Sequence, residues 1–198
     1  MFVGKDEWIE KAISNRSCVA VTNGYYMREL YPNVCSTALI FECTNGTGRL
    51  IGSFPETTVS ENEYLGDILG LMAIHLILRS INEMAPALSG LVTIISDCLG
   101  AIGKVAHLPP HRIPSRCKHL DILKNILVSC CNLTFQRMFE HVDAHQDDRG
   151  SYESITQPEQ LNCLMDGKAK QEIWNVDPEN LPHQEAFPLE SLCVFLGK

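Results

Sequence analysis

The run Leu91-Val92-Thr93-Ile94-Ile95-Ser96-Asp97 is apolar and strand-like, it ends in an aspartate, and a helix-like stretch follows at once. This strand-end acid has companions spread along the chain. Asp67 falls on a long apolar helix, Asp166 on a late helix, and Asn23 at the end of the first strand, where a fourth acid is expected. Metal-dependent phosphodiester chemistry requires such an arrangement, because two divalent ions held close together clamp the attacking and leaving oxygens. The carboxylates must come from distant segments, since no single element presents enough oxygen ligands around one point. Each residue also has a plain reading. Asp97 serves equally as a strand-end cap, Asp166 as a solvated helix residue, and Asp67 as a first-turn acid favoured by the helix dipole.

The chain has 198 residues, enough for one substantial domain or a domain with a tail. A chain of this size buries roughly 70% of its unfolded surface and needs no disulfide staples. The nine cysteines are odd in number, lack a Cys-x-x-Cys pair and fall largely in apolar runs. They read as reduced core thiols of an intracellular protein, cytoplasmic or nuclear. Residues 1–10 carry Lys5, Asp6, Glu7 and Glu10 and no apolar signal-peptide core. The apolar run from Ile68 to Leu78 is short for a membrane span and contains His75, so no membrane partner is expected. The net charge of −8 excludes bulk electrostatic binding of nucleic acid. It leaves room for a local basic surface, and Lys104, Arg112, Arg116, Lys118 and Lys124 lie in a stretch with a single acid, Asp121. That stretch reads equally as a solvated helix face.

Cys18 to Thr22 predicts a buried strand ending at Asn23-Gly24, and Ser36 to Cys43 a second strand. Thr44-Asn45-Gly46-Thr47-Gly48 is a turn from which Arg49 to Phe54 returns as a third. Glu61 to Asn82 predicts a deeply packed helix, with Asp67 on the same face as Gly70, Leu71, Ile74 and Leu78. Leu91 to Ser96 is a strand and Cys98 to Ala106 a short helix. After the Pro109-Pro110 and Pro114 break, Ser115 caps a helix running to about Cys131. Thr134 to Val142 is a last strand, and Pro158 to Trp174 a final helix with proline in its first turn. The order predicts an α/β fold: a five-stranded mixed sheet, antiparallel in its first three strands, flanked by helices. His141 and His145 lie downstream of Cys130-Cys131, but the cysteine spacing is wrong for a zinc finger.

With element order and motifs together, the chain resembles the ribonuclease H family, most closely the ribonuclease H domains of retroelement reverse transcriptases. The likeness rests on Val21-Thr22-Asn23-Gly24-Tyr25, Gly66-Asp67-Ile68-Leu69, Ser96-Asp97-Cys98, Asn162-Cys163-Leu164-Met165-Asp166 and Val142-Asp143-Ala144-His145. It covers residues 17–175, which implies an N-terminal lead at 1–16 and a tail at 176–198. The apolar run Leu192 to Leu196 so near the last residue reads as truncation from a longer polypeptide.

The resemblance implies hydrolysis of the RNA strand of an RNA–DNA hybrid by two Mg²⁺ ions, with Mn²⁺ as substitute. The ions would sit among Asp67, Asp97, Asp166 and the position of Asn23, with His145 assisting product or metal departure. It also implies hybrid contacts from Gly24, Asn162, Lys104, Arg112, Arg116 and Lys118, and the remainder of a reverse-transcriptase-like polypeptide as partner. Two departures stand against activity. Asn23 replaces an aspartate and brings no charge, and Asp67 replaces a glutamate, shortening its reach by one methylene. An alternative is therefore a catalytically inactive domain of the same fold that binds nucleic acid or serves as a connector. A further alternative is a relative that cuts DNA.

Overall fold

The computed structural model describes residues 2–3, 7–57, 63–107, 112–148 and 150–177. In chain order the elements are β1 (Phe2–Val3), α1 (Trp8–Ser14), β2 (Cys18–Tyr26), β3 (Val34–Cys43), β4 (Arg49–Thr57) and α2 (Glu63–Met84). They continue with β5 (Leu91–Ser96), α3 (Leu99–His107), α4 (Leu120–Cys130), β6 (Gln136–His141) and α5 (Gln157–Trp174). The sheet runs β1-β4-β3-β2-β5-β6. β2, β3 and β4 form an antiparallel meander, and β5 and β6 lie parallel to β2. The five expected strands are β2 to β6, and the two-residue β1 adds a short antiparallel edge to β4.

Period-two alternation sends side chains of the central strands to two separate cores. Cys18, Ala20, Leu39, Phe41, Val92 and Ile94 join Ile68, Leu71, Ile74 and Leu78 of α2, with α1 and α4 on the same side. Val19, Val21, Ala38, Ile40 and Ile95 point the other way, against Leu161, Met165 and Ala169 of α5. A sheet covered on both faces has strands apolar throughout, and every residue of β3 is buried. The α2 helix is long and apolar enough to cross a membrane by length and composition, a feature the shorter Ile68 to Leu78 run understates. Here its apolar faces pack in the domain core. His75 is fully buried within it. Its Nδ1 faces the Leu71 carbonyl at 2.6 Å, which can only accept, so Nδ1 carries the proton and Nε2 takes a bond from Arg137 at 2.9 Å. Burial first, and the Arg137 charge with it, push its pKa down to about 3.

Beyond shifts of one to three residues at other element ends, three features differ from the sequence expectation. β2 does not stop at Thr22 but runs through Asn23-Gly24 to Tyr26, paired with β3 along its whole length. α4 starts at Leu120 and not at Ser115, because His119 takes a left-handed conformation (φ 55°) that no continuous helix passes through. Residues 8–14, part of the expected N-terminal lead, form α1, whose Trp8, Ala12 and Ile13 enter the core. The first residues of the expected helix at Glu61, the Pro109-Pro110 break and the apolar run Leu192 to Leu196 lie outside the described residues.

The α5 helix opens with a cap that fixes where its inward face begins. The Glu159 carboxylate accepts from the Thr156 backbone N–H and from its hydroxyl, both at 2.7 Å. Pro158 occupies the first turn, where a missing N–H costs nothing. Thr156→Ala is expected to cost about 1 kcal/mol, read as a lower thermal midpoint; a midpoint equal to that of the parent chain would show the cap to be idle.

Candidate functional site

One end of the central strands opens into a cavity of about 270 Å³. It is lined by Asn23, Gly24 and Tyr25 of β2, Asp67 of α2, Asp97 and Cys98 after β5, Ala144 and His145 after β6, and Asp166 of α5. The four positions of the strand-end and helix motifs, separated by up to 143 residues in sequence, thus share one space with the loop histidine.

Each acid reaches the cavity for a local reason. Asp97 follows β5 directly, at the switch where a parallel strand hands over to α3. Asp67 is brought close by a glycine pair: Gly24 of β2 and Gly66 of α2 touch backbone to backbone. The Gly24 N–H then donates to Asp67 Oδ1 at 2.9 Å. Asp166 follows the buried Met165 on the cavity-facing side of α5. His145 holds a left-handed φ of 53° at the exposed rim. Histidine tolerates that conformation better than most residues.

The cavity's own groups answer its carboxylates. Asp97 Oδ2 accepts two amide N–H bonds, from Asn23 Nδ2 at 3.0 Å and Asn162 Nδ2 at 3.2 Å. A carboxylate can only accept, so the Asn23 side chain turns its nitrogen towards Asp97. Asp67 takes the Gly24 N–H and a bond from the Cys98 thiol. Burial, reinforced by the Asp67 charge, pushes that thiol up to about 12, so Cys98 is a proton donor at neutral pH. Asp166 pairs with Lys170 one turn on, at 2.5 Å. The Lys170 ammonium also lies 5.5 Å over the Tyr25 ring. Partial burial works against its charge, but the Asp166 bond and charge prevail and hold its pKa above the ordinary lysine value.

Asp67, Asp97, Asp166 and the Asn23 carbonyl oxygen are the oxygen donors that would hold divalent ions here, but as arranged they stand apart. Among the described residues, no three His, Cys, Asp or Glu side chains converge closely enough to hold an ion. Where a charged ligand would face Asp97, Asn23 presents N–H donors, which repel a cation. As arranged, the cavity is a hydrogen-bonded carboxylate cluster and not an ion cage.

The residues expected to contact nucleic acid are dispersed. Gly24 lines the cavity. Asn162 is 2% exposed and its amide is engaged by Asp97 and Asn23, so it ties two cavity residues together and presents nothing at the surface. The Lys104 ammonium is tied to the Tyr64 hydroxyl at 2.8 Å and lies 4.6 Å over that ring. Arg112, Arg116 and Lys118 are exposed on the irregular segment before α4. Sequence reasoning missed Cys98, Tyr25 and Lys170. Cys98 adjoins a strand-end acid and Lys170 lies four residues after Asp166, which are the readable signals; Tyr25 has no signal beyond its adjacency to Gly24.

No protein-family model matches the chain, and no curated protein matches it. Solved structures do. The protease–reverse transcriptase of prototype foamy virus superposes with a TM-score of 0.59 at 16% identity, over 81% of this chain and 21% of the viral one. The foamy viral protein in complex with an RNA/DNA hybrid gives 0.56 at 18% identity, over 81% and 20%. The N-terminal ribonuclease H domain of a Mycobacterium tuberculosis protein, fused to maltose-binding protein, gives 0.51 at 11% identity, over 79% and 92%. The chain therefore spans about a fifth of the foamy virus polypeptide's length. Strand order, flanking helices and these superpositions together establish a ribonuclease H fold.

Proposed function

We propose that this chain is a ribonuclease H-type domain of retroelement origin that takes RNA–DNA hybrids and whose hydrolytic activity is reduced or abolished at Asn23. The observation that carries the reading is the Asn23 amide donating to Asp97 inside a cavity that Asp67, Asp166 and His145 also line. The acids of a hydrolytic site are gathered, but the first-strand position holds the cluster together by hydrogen bonds in place of charge. The same observation favours the second reading, a catalytically inactive domain of this fold that holds nucleic acid or connects parts of a longer polypeptide. The likeness to a domain-sized portion of a viral protease–reverse transcriptase supports a retroelement parent with further domains. In this proposal the domain takes in residues 17–175 together with α1, whose Trp8, Ala12 and Ile13 enter its core. The eight cysteines among the described residues are all free thiols, in keeping with an intracellular site of action.

For the substrate, the foamy viral structures hold an RNA/DNA hybrid in one case and double-stranded DNA in another, which supports duplex binding, and the hybrid is the duplex this proposal takes. Recognition would fall on the RNA strand's 2′-hydroxyls in the wide minor groove, with little base reading. At a net charge of −8, phosphate contacts depend on local cations, of which Arg112, Arg116 and Lys118 are exposed. Binding is therefore expected to weaken steeply with salt.

The test is a competition between labelled RNA–DNA hybrid, double-stranded DNA and single-stranded RNA, followed by cleavage of the bound duplex in Mg²⁺ and in Mn²⁺. Preferential binding of hybrid with slow or absent cleavage supports the proposal. Preference for double-stranded DNA would move the chain to the DNA-cutting relatives of this fold. Binding of none of the three would overturn a nucleic-acid role altogether.

A further inference from the structure

At the other end of β2, away from the acid cluster, lies a second and larger cavity of about 490 Å³. Trp8 and Ala12 of α1, Ser17, Cys43 and Thr47 are among its lining. Cys43, the last residue of β3, sits directly opposite Cys18, the first residue of β2, in the antiparallel register. The backbone tells which kind of pair this is. The Thr44 N–H donates to the Ser17 carbonyl at 2.9 Å, so Ser17 and Thr44 are a hydrogen-bonded pair. The Cys43 N–H turns away to the Gly48 carbonyl at 3.1 Å. Cys18 and Cys43 are therefore a non-hydrogen-bonded pair, in which facing α-carbons stand about 4.5 Å apart with side chains on the same face. That spacing lies within the range of about 4.4–6.8 Å that a disulfide spans. Both thiols belong to the core layer under α1, and both are free.

From this geometry we infer that Cys43 is a thiol-oxidation site, with Cys18 as its cross-strand resolving partner and hydrogen peroxide, small enough to enter the cavity, as oxidant. The two thiols have opposite surroundings. Burial opposes the Cys43 thiolate, but hydrogen bonds from Ser17, Thr47 and the Asn45 backbone outweigh it and hold its pKa below the ordinary thiol value. The Ser17 hydroxyl is 3.3 Å from the sulfur. Burial, with Cys43's charge, pushes the Cys18 thiol up to about 12. One thiol is thus the nucleophile and its neighbour stays protonated until it is needed. Trp8, which lines the cavity, has a buried indole N–H that meets no acceptor among the described residues.

The chemistry closes in two steps. The Cys43 thiolate attacks one oxygen of the peroxide, the O–O bond breaks, and sulfenic acid forms with release of hydroxide, which the solvent protonates. Cys18 sulfur then attacks the Cys43 sulfur, the S–O bond breaks, and the thiol proton leaves with the hydroxyl group as water. Two thiols and one peroxide give one disulfide and two waters.

The experiment treats the full chain with hydrogen peroxide, alkylates the remaining thiols and maps cross-linked peptides by mass spectrometry. A Cys18–Cys43 linked pair is expected in the folded chain and lost after unfolding in urea. In Cys18→Ser, Cys43 is expected to persist as sulfenic acid and to be captured by dimedone. In Cys43→Ala, Cys18 stays unmodified. Alkylation of Cys43, which lines the cavity, should outpace that of Cys35, whose thiol burial pushes up to about 12. Since the wild-type map needs no variant, a misfolded variant does not spare the inference. Oxidation that falls on the exposed Cys131 with no Cys18–Cys43 link, or a link formed equally in urea, overturns it.

Discussion

Asn23→Asp is expected to raise metal-dependent cleavage of an RNA–DNA hybrid by roughly 10²-fold or more, the scale of restoring one transition-state electrostatic contact. The reason lies in one distance. The Asn23 amide nitrogen stands 3.0 Å from Asp97 Oδ2. A carboxylate in its place puts two acids face to face, and two such groups do not both stay ionised unless a cation sits between them. The substitution therefore removes two N–H donors and creates a demand for positive charge in the same step. Cleavage of a labelled hybrid in Mg²⁺ and Mn²⁺, by parent and variant in parallel, measures the effect. Asp97→Asn in the variant background should erase the gain. A variant that binds hybrid as well as the parent but cuts no faster would sink the idea, and would move the block to Asp67 and its missing methylene.

Gly24→Ala is expected to destabilise the domain by about 3 kcal/mol, the upper part of the range for overpacking a closed interior. A β-carbon at position 24 would stand 2.5 Å from the Asp67 nitrogen and 2.6 Å from the Gly66 carbonyl carbon. Both are backbone atoms, and no rotamer change relieves the clash. α2 must move off β2, and Asp67, held through the Gly24 N–H, moves with it. Stability and site geometry should therefore fail together: a lower denaturant midpoint, and no gain in cleavage when Asn23→Asp is added. Gly103→Ala in α3 is the control, since nothing lies within 4 Å of its added carbon. There the same change should stabilise by up to about 1 kcal/mol through helix propensity. Equal midpoints for the two variants would refute the close-approach account.

The mixed sheet was legible because strand signals are local. The apolar runs around Ala20, Ile40 and Ile94, and the Asn45-Gly46 turn, specify strands without help from distant residues. The long helix after them was legible for the same reason. The end of β2 was not, because Asn23-Gly24 carries a turn signature that pairing with Ala38 and Thr37 overrides. The α1 helix was missed because seven residues are too few for a periodic signal; its helicity follows from docking Trp8 and Ile13 into the core. The start of α4 was misplaced because a left-handed His119 cannot be read from composition.

The candidate acids Asp67, Asp97 and Asp166 were named from strand-end and helix positions, but which atoms face which was not open to that reasoning. Asn23 in the sequence supplies an oxygen and a nitrogen with equal right. Only the folded chain, by setting it opposite a carboxylate that accepts and never donates, decides that the nitrogen faces inward. In the same way the family resemblance implies Asn162 and Lys104 as nucleic-acid contacts, and the fold commits one to Asp97 and the other to Tyr64. By itself the sequence determined the order of the elements from β2 to α5 and named the acids that gather, because local hydrophobic pattern and residue chemistry are properties of short segments. Tertiary structure alone decided the hydrogen-bond partners, the glycine contact that seats Asp67 and the pairing of Cys18 with Cys43, because each depends on the register between segments far apart in the chain.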